Sequence, residues 1–397
     1  MNDLEEQAFR QRIQTFIAEN SPDLPHRVGT RSPEDLHEST ILREWSRQIY
    51  GAGFEGANWP VEFGGNASYD AVEEMLVTEE FARAKASIPI GAGSLAAHAL
   101  LHFGTKAQQA QYLPKIRSYE HVWCQLFSEP DAGSDLASMR TTASRDGDRF
   151  IVSGQKVWST NAAFSDMGYL LARTDSTVAK HAGISAFALD MTTPGITVRP
   201  LKEMTGTSDF NEVFFDDVIL PADALIGEVN NGWHIATDSL ASERAGVGAL
   251  VIRLRQNLEA LTAFTKATPC FNGAGMLADD PIIRQRLAGF AIRVRIATWI
   301  SEGAIARRLR GEFKEADVPM IKLGFANLNQ DLSYLGIELQ GMRGLLSSDS
   351  PDALDGGHWQ DEFLYAKAYT ISGGSNEIMR NLLGERALGL PREPKPK

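Results

Sequence analysis

Residues 146–160 read DGDRFIVSGQKVWST, and the pattern of the chain changes at this stretch. An Asp-Gly turn leads into β-branched and aromatic residues, which is typical of a strand. Further short runs of this kind follow as far as about residue 230: YLLART, ISAFALDM, ITVRP and EVFFDDVIL. Because Gly, Pro, Asp and Asn separate them at regular spacing, residues 121–230 are predicted to form a small sheet or barrel.

The segments on both sides of this zone have the apolar period of helices. Residues 1–120 contain runs such as LHESTILREWSRQIYGAG, and long amphipathic runs return beyond Gly232. These later runs cover 233–265, 281–311, 317–340, 359–371 and 375–388, and their short links predict a helical bundle. The expected fold is α+β and mainly α: an N-terminal helical domain (1–120), a middle β domain (121–230) and a C-terminal helical domain (231–397).

Composition narrows the class of protein. The chain has 397 residues, 43% of them hydrophobic and 23% charged, as in an ordinary globular protein. A net charge of -12 argues against nucleic acid as the main partner. No apolar run reaches the roughly 18 residues of a membrane span, and the N-terminus resembles no targeting peptide. The two cysteines, Cys124 and Cys270, imply no disulfide framework, so a cytoplasmic location is expected.

Two short motifs in the strand zone could bind a ligand. In FSEPDAGSDL (127–136), Gly133 and Ser134 can offer backbone N–H groups and a hydroxyl to an anion or ring edge. As a bare turn this sequence is also common. In GQKVWST (154–160), Trp158 ends a strand and is followed by two hydroxyls. It is either a core or rim residue or a platform for a flat ring.

A third motif, SLASERAGVGAL (239–250), lies on the first long helix after the strand zone. Glu243 and Arg244 are adjacent and so do not face each other along the helix. Gly246 and Gly248 each cost the helix roughly 1 kcal/mol against alanine, which suggests a close neighbour. For an isolated Glu243, a solvated carboxylate is the ordinary alternative. The eight scattered histidines form no HxxxH or HExxH pair, so no metal site is predicted.

Taken together and in this order, these pieces resemble the acyl-CoA dehydrogenase family of flavoproteins. The resemblance covers nearly the whole chain. Besides the motifs quoted above, it rests on these stretches: GFEGANWPVEFGG (53–65), GTKAQQAQYLPKI (104–116), WCQLFSEPDAGSD (123–135), FNEVFFDDVILP (210–221), NNGW (230–233) and GGSNEIMRNLLGERALGLPRE (373–393). It implies an N-terminal helical domain, a central β domain and a C-terminal four-helix bundle.

The resemblance also implies a bound FAD and residues that contact it. Ser128 would bond the pyrimidine edge of the flavin, and Trp158 would stack on the ring. Thr160 would bond near the flavin N5, while Gly133 and Ser134 would border flavin and CoA. The remaining cofactor contacts that it implies are Gln125, Ser159, Gly341, Ser375 and Glu377.

The catalytic base is the point at which the family divides. Many members carry a glutamate in the loop equivalent to 372–377, where this chain has Gly373. In a branch that resembles the isovaleryl-CoA and long-chain enzymes, the base lies on the first bundle helix, directly before an arginine. That position is Glu243, before Arg244. The resemblance thus implies Glu243 as the base, with Arg244, Gly373 and Gly374 near the substrate.

The implied reaction is α,β-desaturation of an acyl-CoA, with electrons passed to an electron-transfer flavoprotein. A homodimer, homotetramer or heterotetramer with a second such chain is implied. Two stretches depart from the family pattern. Residues 264–277, FTKATPCFNGAGML, lack the arginine of an Arg-x-x-Phe-Gly motif, and Glu338 stands where a glutamine is usual. Both concern FAD contacts between subunits.

Two other functions stay open on this sequence. One is different flavin chemistry, as in an oxidase or a hydroxylase component. The other is an FAD-binding or structural subunit of a heteromeric dehydrogenase, against which Glu243, Trp158 and Thr160 argue. The acyl group is not identified, although a base on the helix is shared by branches that accept branched or bulky chains.

Overall fold

The computed structural model describes most of the chain in two compact units. The described residues are 2–24, 27–29, 31–56, 59–66, 68–69, 71–87, 89–243, 248–270, 273, 275–312 and 314–392. The side chains of residues 71, 242, 243, 248, 249 and 309 lie outside this description. Unit 1 comprises residues 1–26, 30–77 and 84–243, and unit 2 comprises residues 27–29, 78–83 and 244–397.

The N-terminal part of the chain is helical, as its period predicts. Its helices are α1 (Asp3–Asn20), α2 (Leu36–Gly51), α3 (Ala71–Arg83), α4 (Gly93–Phe103) and α5 (Lys106–Arg117). Helix α5 begins with a capping box. The Thr105 hydroxyl accepts from the Gln108 N–H, and the Gln108 side chain accepts from the Thr105 N–H. This exchange satisfies two of the donors that a helix start leaves unpaired.

The middle of unit 1 is one eight-stranded sheet. Its strands are β1 (Trp123–Leu126), β2 (Thr142–Asp146), β3 (Arg149–Lys156), β4 (Met167–Arg173), β5 (Ile184–Asp190), β6 (Ile196–Leu201), β7 (Phe210–Pro221) and β8 (Leu225–Ile226). Their order is β6-β7-β3-β2-β4-β5-β8, and β1 pairs with β4. The five predicted runs correspond to β3 to β7. Strands β1, β2 and β8 were missed. Strands β1 and β8 are only four and two residues long, and β2 carries mostly exposed polar residues.

Strand β4 contributes to two hydrophobic cores. Tyr169 and Leu171 pack in a core shared with α4 and α5, whereas Leu170 and Ala172 pack in a second core with Phe187. Successive side chains of a strand point to opposite faces, so both faces of β4 are buried. This explains why its sequence, MGYLLAR, is continuously apolar instead of alternating. Helix α6 (Gly232–Glu243) adds Ile235 and Ala236 to the first core.

Unit 2 is a helical bundle with its own core. Its helices are α7 (Gly248–Ala267), α8 (Pro281–Leu309), α9 (Asp317–Glu338), α10 (His358–Ile371) and α11 (Asn376–Asn381), and a π-helical segment, Leu382–Ala387, follows. The core is formed by Leu254, Val294, Phe325, Leu332 and Trp359, among others. The α+β class, with helices before and after a sheet, is thus confirmed. The boundaries at residues 120 and 230 stay a prediction.

Two glycines of α9 should respond in opposite directions to alanine. A Cβ on Gly336 would lie 2.3 Å from Cε3 of Trp359, whose side chain is 0% exposed. We expect Gly336→Ala to lower the free energy of unfolding by about 1–3 kcal/mol, because the indole cannot move aside. A Cβ on Gly324 would have no atom within 4 Å. Gly324→Ala should therefore raise the free energy of unfolding by up to about 1 kcal/mol, because alanine has the higher helix propensity. Urea denaturation of both variants tests this, and equal shifts would contradict it.

Candidate functional site

Two segments of unit 1 that carry predicted flavin contacts are joined by hydrogen bonds. One is the loop that follows β1, and the other is the end of β3. The Val157 N–H donates to the Ser128 carbonyl at 2.9 Å. The Thr141 hydroxyl, at the far end of the loop, donates to the Gln155 carbonyl at 3.2 Å. Ser128 and Trp158 therefore belong to one connected part of the unit.

Trp158 presents its ring to the surface from an uncommon backbone conformation. Its φ is +61°, in the left-handed region that bulky residues rarely adopt. The side chain is 59% exposed, and its one ring contact among the described residues is an edge-on approach to Phe210 with 5.8 Å between centroids. Burial therefore does not account for a tryptophan here. Strained backbone of this kind clusters at ligand sites.

The residues after Trp158 are fixed by β7. Ser159 and Asn211 exchange backbone hydrogen bonds at 3.1 Å, and the Asn211 side-chain amide donates to the Ser159 carbonyl at 2.9 Å. The Ser159 hydroxyl is buried and has no hydrogen-bond partner among the described residues. Thr160 is half-buried. Sequence reasoning missed Asn211, although an asparagine between the apolar residues of a strand is a signal that could have drawn attention to it.

Gly133 and Ser134 lie in an exposed turn of the loop after β1. No atom lies within 4 Å of the position that a Cβ on Gly133 would occupy. The next residue, Asp135, accepts from the Lys180 ammonium at 2.6 Å and from the Ser138 hydroxyl at 2.6 Å. Gln125, by contrast, is half-buried within β1, where it pairs with Tyr169 of β4.

A buried ion pair lies beneath this loop and was not predicted. The Lys156 ammonium, 0% exposed, donates to Glu129 at 2.8 Å and to the Phe127 carbonyl at 2.9 Å. Burial lowers the pKa of Lys156 to about 8, although the Glu129 carboxylate opposes this shift. Burial alone would raise the pKa of Glu129, but the Lys156 charge and the Arg140 N–H outweigh it and hold that pKa below its usual value.

The predicted base is described only in its backbone. Glu243 is the last residue of α6, and its side chain lies outside the described residues, as does the whole of Arg244. Helix α6 itself is tied to α4, since the His98 ring and the Asp238 carboxylate are hydrogen bonded at 2.7 Å. Asp238 precedes Glu243 by five residues.

In unit 2, four of the predicted residues lie where α10 gives way to α11: Gly373, Gly374 and Ser375 in the connecting turn, and Glu377 in the first turn of α11. Gly373 and Gly374 have φ values of +63° and +91°. The space beside Gly373 is open, but any side chain there would be held in a strained left-handed backbone. Ser375 caps α11 by accepting from the Ile378 N–H at 3.3 Å. Glu377 is exposed and pairs with Arg380 at 3.3 Å.

The other predicted contacts of unit 2 lie at the end of α9. Gly341 is exposed and begins a short 3-10 turn with φ at +57°. Glu338, which stands where the family usually has glutamine, binds Arg286 of α8 through both carboxylate oxygens at 2.6 and 2.7 Å. This pairing lowers the pKa of Glu338. Its carboxylate is thus engaged within the bundle.

Two kinds of feature are absent from the described part of the chain. No group of three or more His, Cys, Asp or Glu side chains there could hold a metal ion. No described helix combines the length and apolar character that a membrane crossing requires.

Comparison with known proteins identifies the family. The N-terminal, middle and C-terminal domains of acyl-CoA dehydrogenases match residues 3–120, 124–218 and 230–388. The chain belongs to the acyl-CoA dehydrogenase family. As a member of this family it is an oxidoreductase that uses FAD.

Similar proteins cover the full length of this acyl-CoA dehydrogenase. The acyl-CoA dehydrogenase IpdE1 of Mycobacterium tuberculosis is 36% identical over 407 aligned positions, which span 100% of both chains. The solved structure of the "Tcur3481-Tcur3483 steroid ACAD" is 27% identical, with a TM-score of 0.87 and 99% of each chain covered. The ChsE4-ChsE5 complex from Mycobacterium tuberculosis is also 27% identical, with a TM-score of 0.86 and 99% of each chain covered.

The residues of unit 1 fit a flavin. Trp158 offers an exposed aromatic face, which is the platform that a flat ring system requires. Exposed or half-buried hydroxyls at Ser128, Ser134 and Thr160 can bond its polar edge. The free space beside Gly133 leaves its backbone accessible. These donors and this ring suit FAD, and they lie on segments whose backbones are fixed by β3 and β7.

Proposed function

We propose that this acyl-CoA dehydrogenase desaturates an acyl-CoA thioester between its α and β carbons, with Glu243 as the base. The single observation that carries the proposal is Trp158, an exposed indole on a left-handed backbone at the end of β3. A ring held in this way at energetic cost is best explained by a flat cofactor stacked on it. Ser128, Ser134, Ser159 and Thr160 supply the hydroxyls around it.

Each residue has a defined task in the proposed reaction. Glu243 takes the α-proton, which is too weakly acidic for a carboxylate in water unless the developing enolate is stabilised. The Gly373 N–H donates a hydrogen bond to the thioester carbonyl and so supplies that stabilisation. Bound FAD supplies the acceptor for the β-hydride. Enclosure of Glu243 by the acyl chain favours its neutral form and raises its basicity.

The assignment of the base to Glu243 is supported by the turn after α10. This turn carries Gly373 where many family members carry the catalytic glutamate. Its φ of +63° suits glycine and would strain a glutamate. Gln125, Gly133, Gly341, Ser375 and Glu377 complete the proposed cofactor site, and Arg244 and Gly374 border the substrate.

For the substrate we propose a bulky or branched acyl group. Similarity to a structure named as a steroid ACAD supports a polycyclic or steroid-derived group in particular. Electrons then pass to an electron-transfer flavoprotein. A second chain of the same family is the proposed partner, because Glu338 is held by Arg286 and residues 264–277 contain no arginine. Without these two contacts between subunits, a cofactor site formed by identical chains would hold FAD through fewer residues.

The test is anaerobic reduction of the bound flavin by a panel of acyl-CoA thioesters. The panel contains straight, branched, aromatic and steroid-derived acyl groups of comparable solubility, and the loss of oxidised flavin absorbance is followed by stopped flow. We expect reduction by the bulkiest group to be about tenfold or more faster than by a straight chain, the scale on which pocket shape discriminates. Equal rates for all would contradict the substrate proposal.

A second arm separates desaturation from the other functions. The reduced enzyme is offered oxygen or an electron-transfer flavoprotein in parallel reactions. Rapid reoxidation by the flavoprotein and slow reaction with oxygen support a dehydrogenase, whereas the reverse order supports an oxidase. A chain that holds FAD only together with its partner, and is not reduced by any thioester, is a structural subunit.

A further inference from the structure

Lys156 is a cation that has been removed completely from water. Its side chain is 0% exposed, and burial of an ammonium is costly unless it is paired and hydrogen bonded. The ammonium has three donors, and they bind the Glu129 carboxylate, the Phe127 carbonyl and, at 3.9 Å, the Met139 sulfur. The pair is thus satisfied, but an apolar pair of similar volume would often be as stable.

The partners of Lys156 flank the residues assigned to the flavin. Phe127 and Glu129 are the two neighbours of Ser128, and Lys156 precedes Trp158 by two residues. Glu129 also accepts from the Arg140 N–H at 2.6 Å and from the Thr141 N–H at 2.9 Å, which closes the loop after β1. One ammonium therefore fixes the start of this loop, its end and the end of β3.

We propose that Lys156 is a positioning residue for FAD. Through Phe127 and Glu129 it sets the spacing between Ser128, at the polar edge of the flavin, and Trp158, at its face. The inference rests on the proposed assignment of those two residues to the cofactor. Lys156 does not touch the cofactor, since it is fully buried. A hydrophobic pair could fill the same space, but it could not direct a carbonyl and a carboxylate to fixed distances.

The primary test measures FAD release from the holoenzyme. Lys156→Met leaves the Glu129 carboxylate buried without its counter-ion, and this variant can fail to fold. The double variant Lys156→Met with Glu129→Gln is therefore tested beside it. This variant buries no charge at the pair. The Arg140 and Thr141 N–H groups bind different oxygens of Glu129, so the single amide oxygen of glutamine keeps one of these two hydrogen bonds in place. We expect the double variant to fold but to release FAD roughly 10- to 100-fold faster, the scale of a lost hydrogen bond to a charged group. Flavin fluorescence reports the rate.

Lys180→Met provides the matched control. It removes the ion pair that Lys180 makes with Asp135 of the same loop. Lys180 is 45% exposed, and exposed ion pairs contribute little to stability. FAD release should change less than about twofold. Unchanged release in the folded double variant overturns the proposal, and so does an equal effect of Lys180→Met.

The wild-type pH profile is a second test that needs no variant. Lys156 loses its charge as the pH rises through about 8. The charged groups that face it are Arg173 and Glu129, and the pKa of Glu129 is held below its usual value, so that carboxylate is already ionised throughout this range. FAD release should therefore accelerate over this range in the wild type and stay level in the double variant. A level wild-type profile overturns the proposal.

Failure of this inference and failure of the proposed function have different signatures. Loss of FAD from the Lys156 variant together with normal reduction rates in Glu243→Gln would leave the positioning role intact and remove the base. Normal FAD retention in the Lys156 variant together with loss of reduction in Glu243→Gln would remove only the positioning role.

Discussion

Replacement of Glu243 by glutamine should abolish most of the flavin reduction while FAD stays bound. Glutamine preserves the shape of the side chain and its place at the end of α6, but it cannot accept the α-proton. We expect the rate of anaerobic reduction by the preferred acyl-CoA to fall by a factor of roughly 100 or more, the usual scale of a lost general base. Absorbance of bound flavin in the purified variant should match that of the wild type.

Glu259→Gln is the matched control for this variant. Glu259 is an exposed glutamate on α7, and the substitution makes the same change of charge. Its reduction rate should equal that of the wild type. A Glu243→Gln enzyme within threefold of wild type, or a comparable loss in Glu259→Gln, would remove Glu243 from the proposed mechanism. Both variants are measured with the panel of thioesters, so that the result does not depend on one poor substrate.

Trp158→Gly should separate stability from cofactor binding. Glycine relieves the strain of the left-handed backbone at φ +61°, which stabilises the folded state by about 1–2 kcal/mol. Its greater freedom in the unfolded chain destabilises the folded state by about 0.5–1 kcal/mol. Because the indole is 59% exposed, little burial is lost. The free energy of unfolding of the FAD-free protein should therefore stay within about 1 kcal/mol of wild type, whereas truncation of a core tryptophan costs about 3–5 kcal/mol.

Cofactor binding should respond far more strongly to the same change. Stacking of a flat ring on an aromatic side chain contributes about 1–3 kcal/mol, so FAD release should accelerate by roughly 10- to 100-fold. Lys85→Gly is the control, since Lys85 is an exposed left-handed residue of unit 1 with φ at +52°. It should leave FAD release unchanged. A large loss of stability with normal release would show that Trp158 serves the fold instead of the flavin.

Much of the fold followed from periodicity because its elements are locally consistent. Strand β3 carries the β-branched and aromatic residues of a strand after a Gly turn, and α8 and α9 begin and end within a few residues of the predicted runs. Where local signals were weak, prediction failed. Strand β2, TASRD, is held by antiparallel pairing with β3 and not by its own propensity.

For the candidate site, the sequence by itself determined the chemistry of the residues. The sequence alone shows the pattern WST at 158–160, the Gly-Ser pair at 133–134 and the absence of a carboxylate at 373. It also determined the family, because several motifs occur in the family's order along one chain. These features are local or ordered along the chain, so no knowledge of long-range contacts was required.

Only the tertiary structure decided how those residues are held. That Trp158 is exposed and left-handed, that Asn211 fixes Ser159, and that Lys156 joins Phe127 to Glu129 all depend on pairs far apart in sequence. A buried lysine and a solvated one look identical in a sequence, since burial depends on which segments pack over it. The physical reason is that the cost of burying a charge is set by its surroundings, which exist only after the chain has folded.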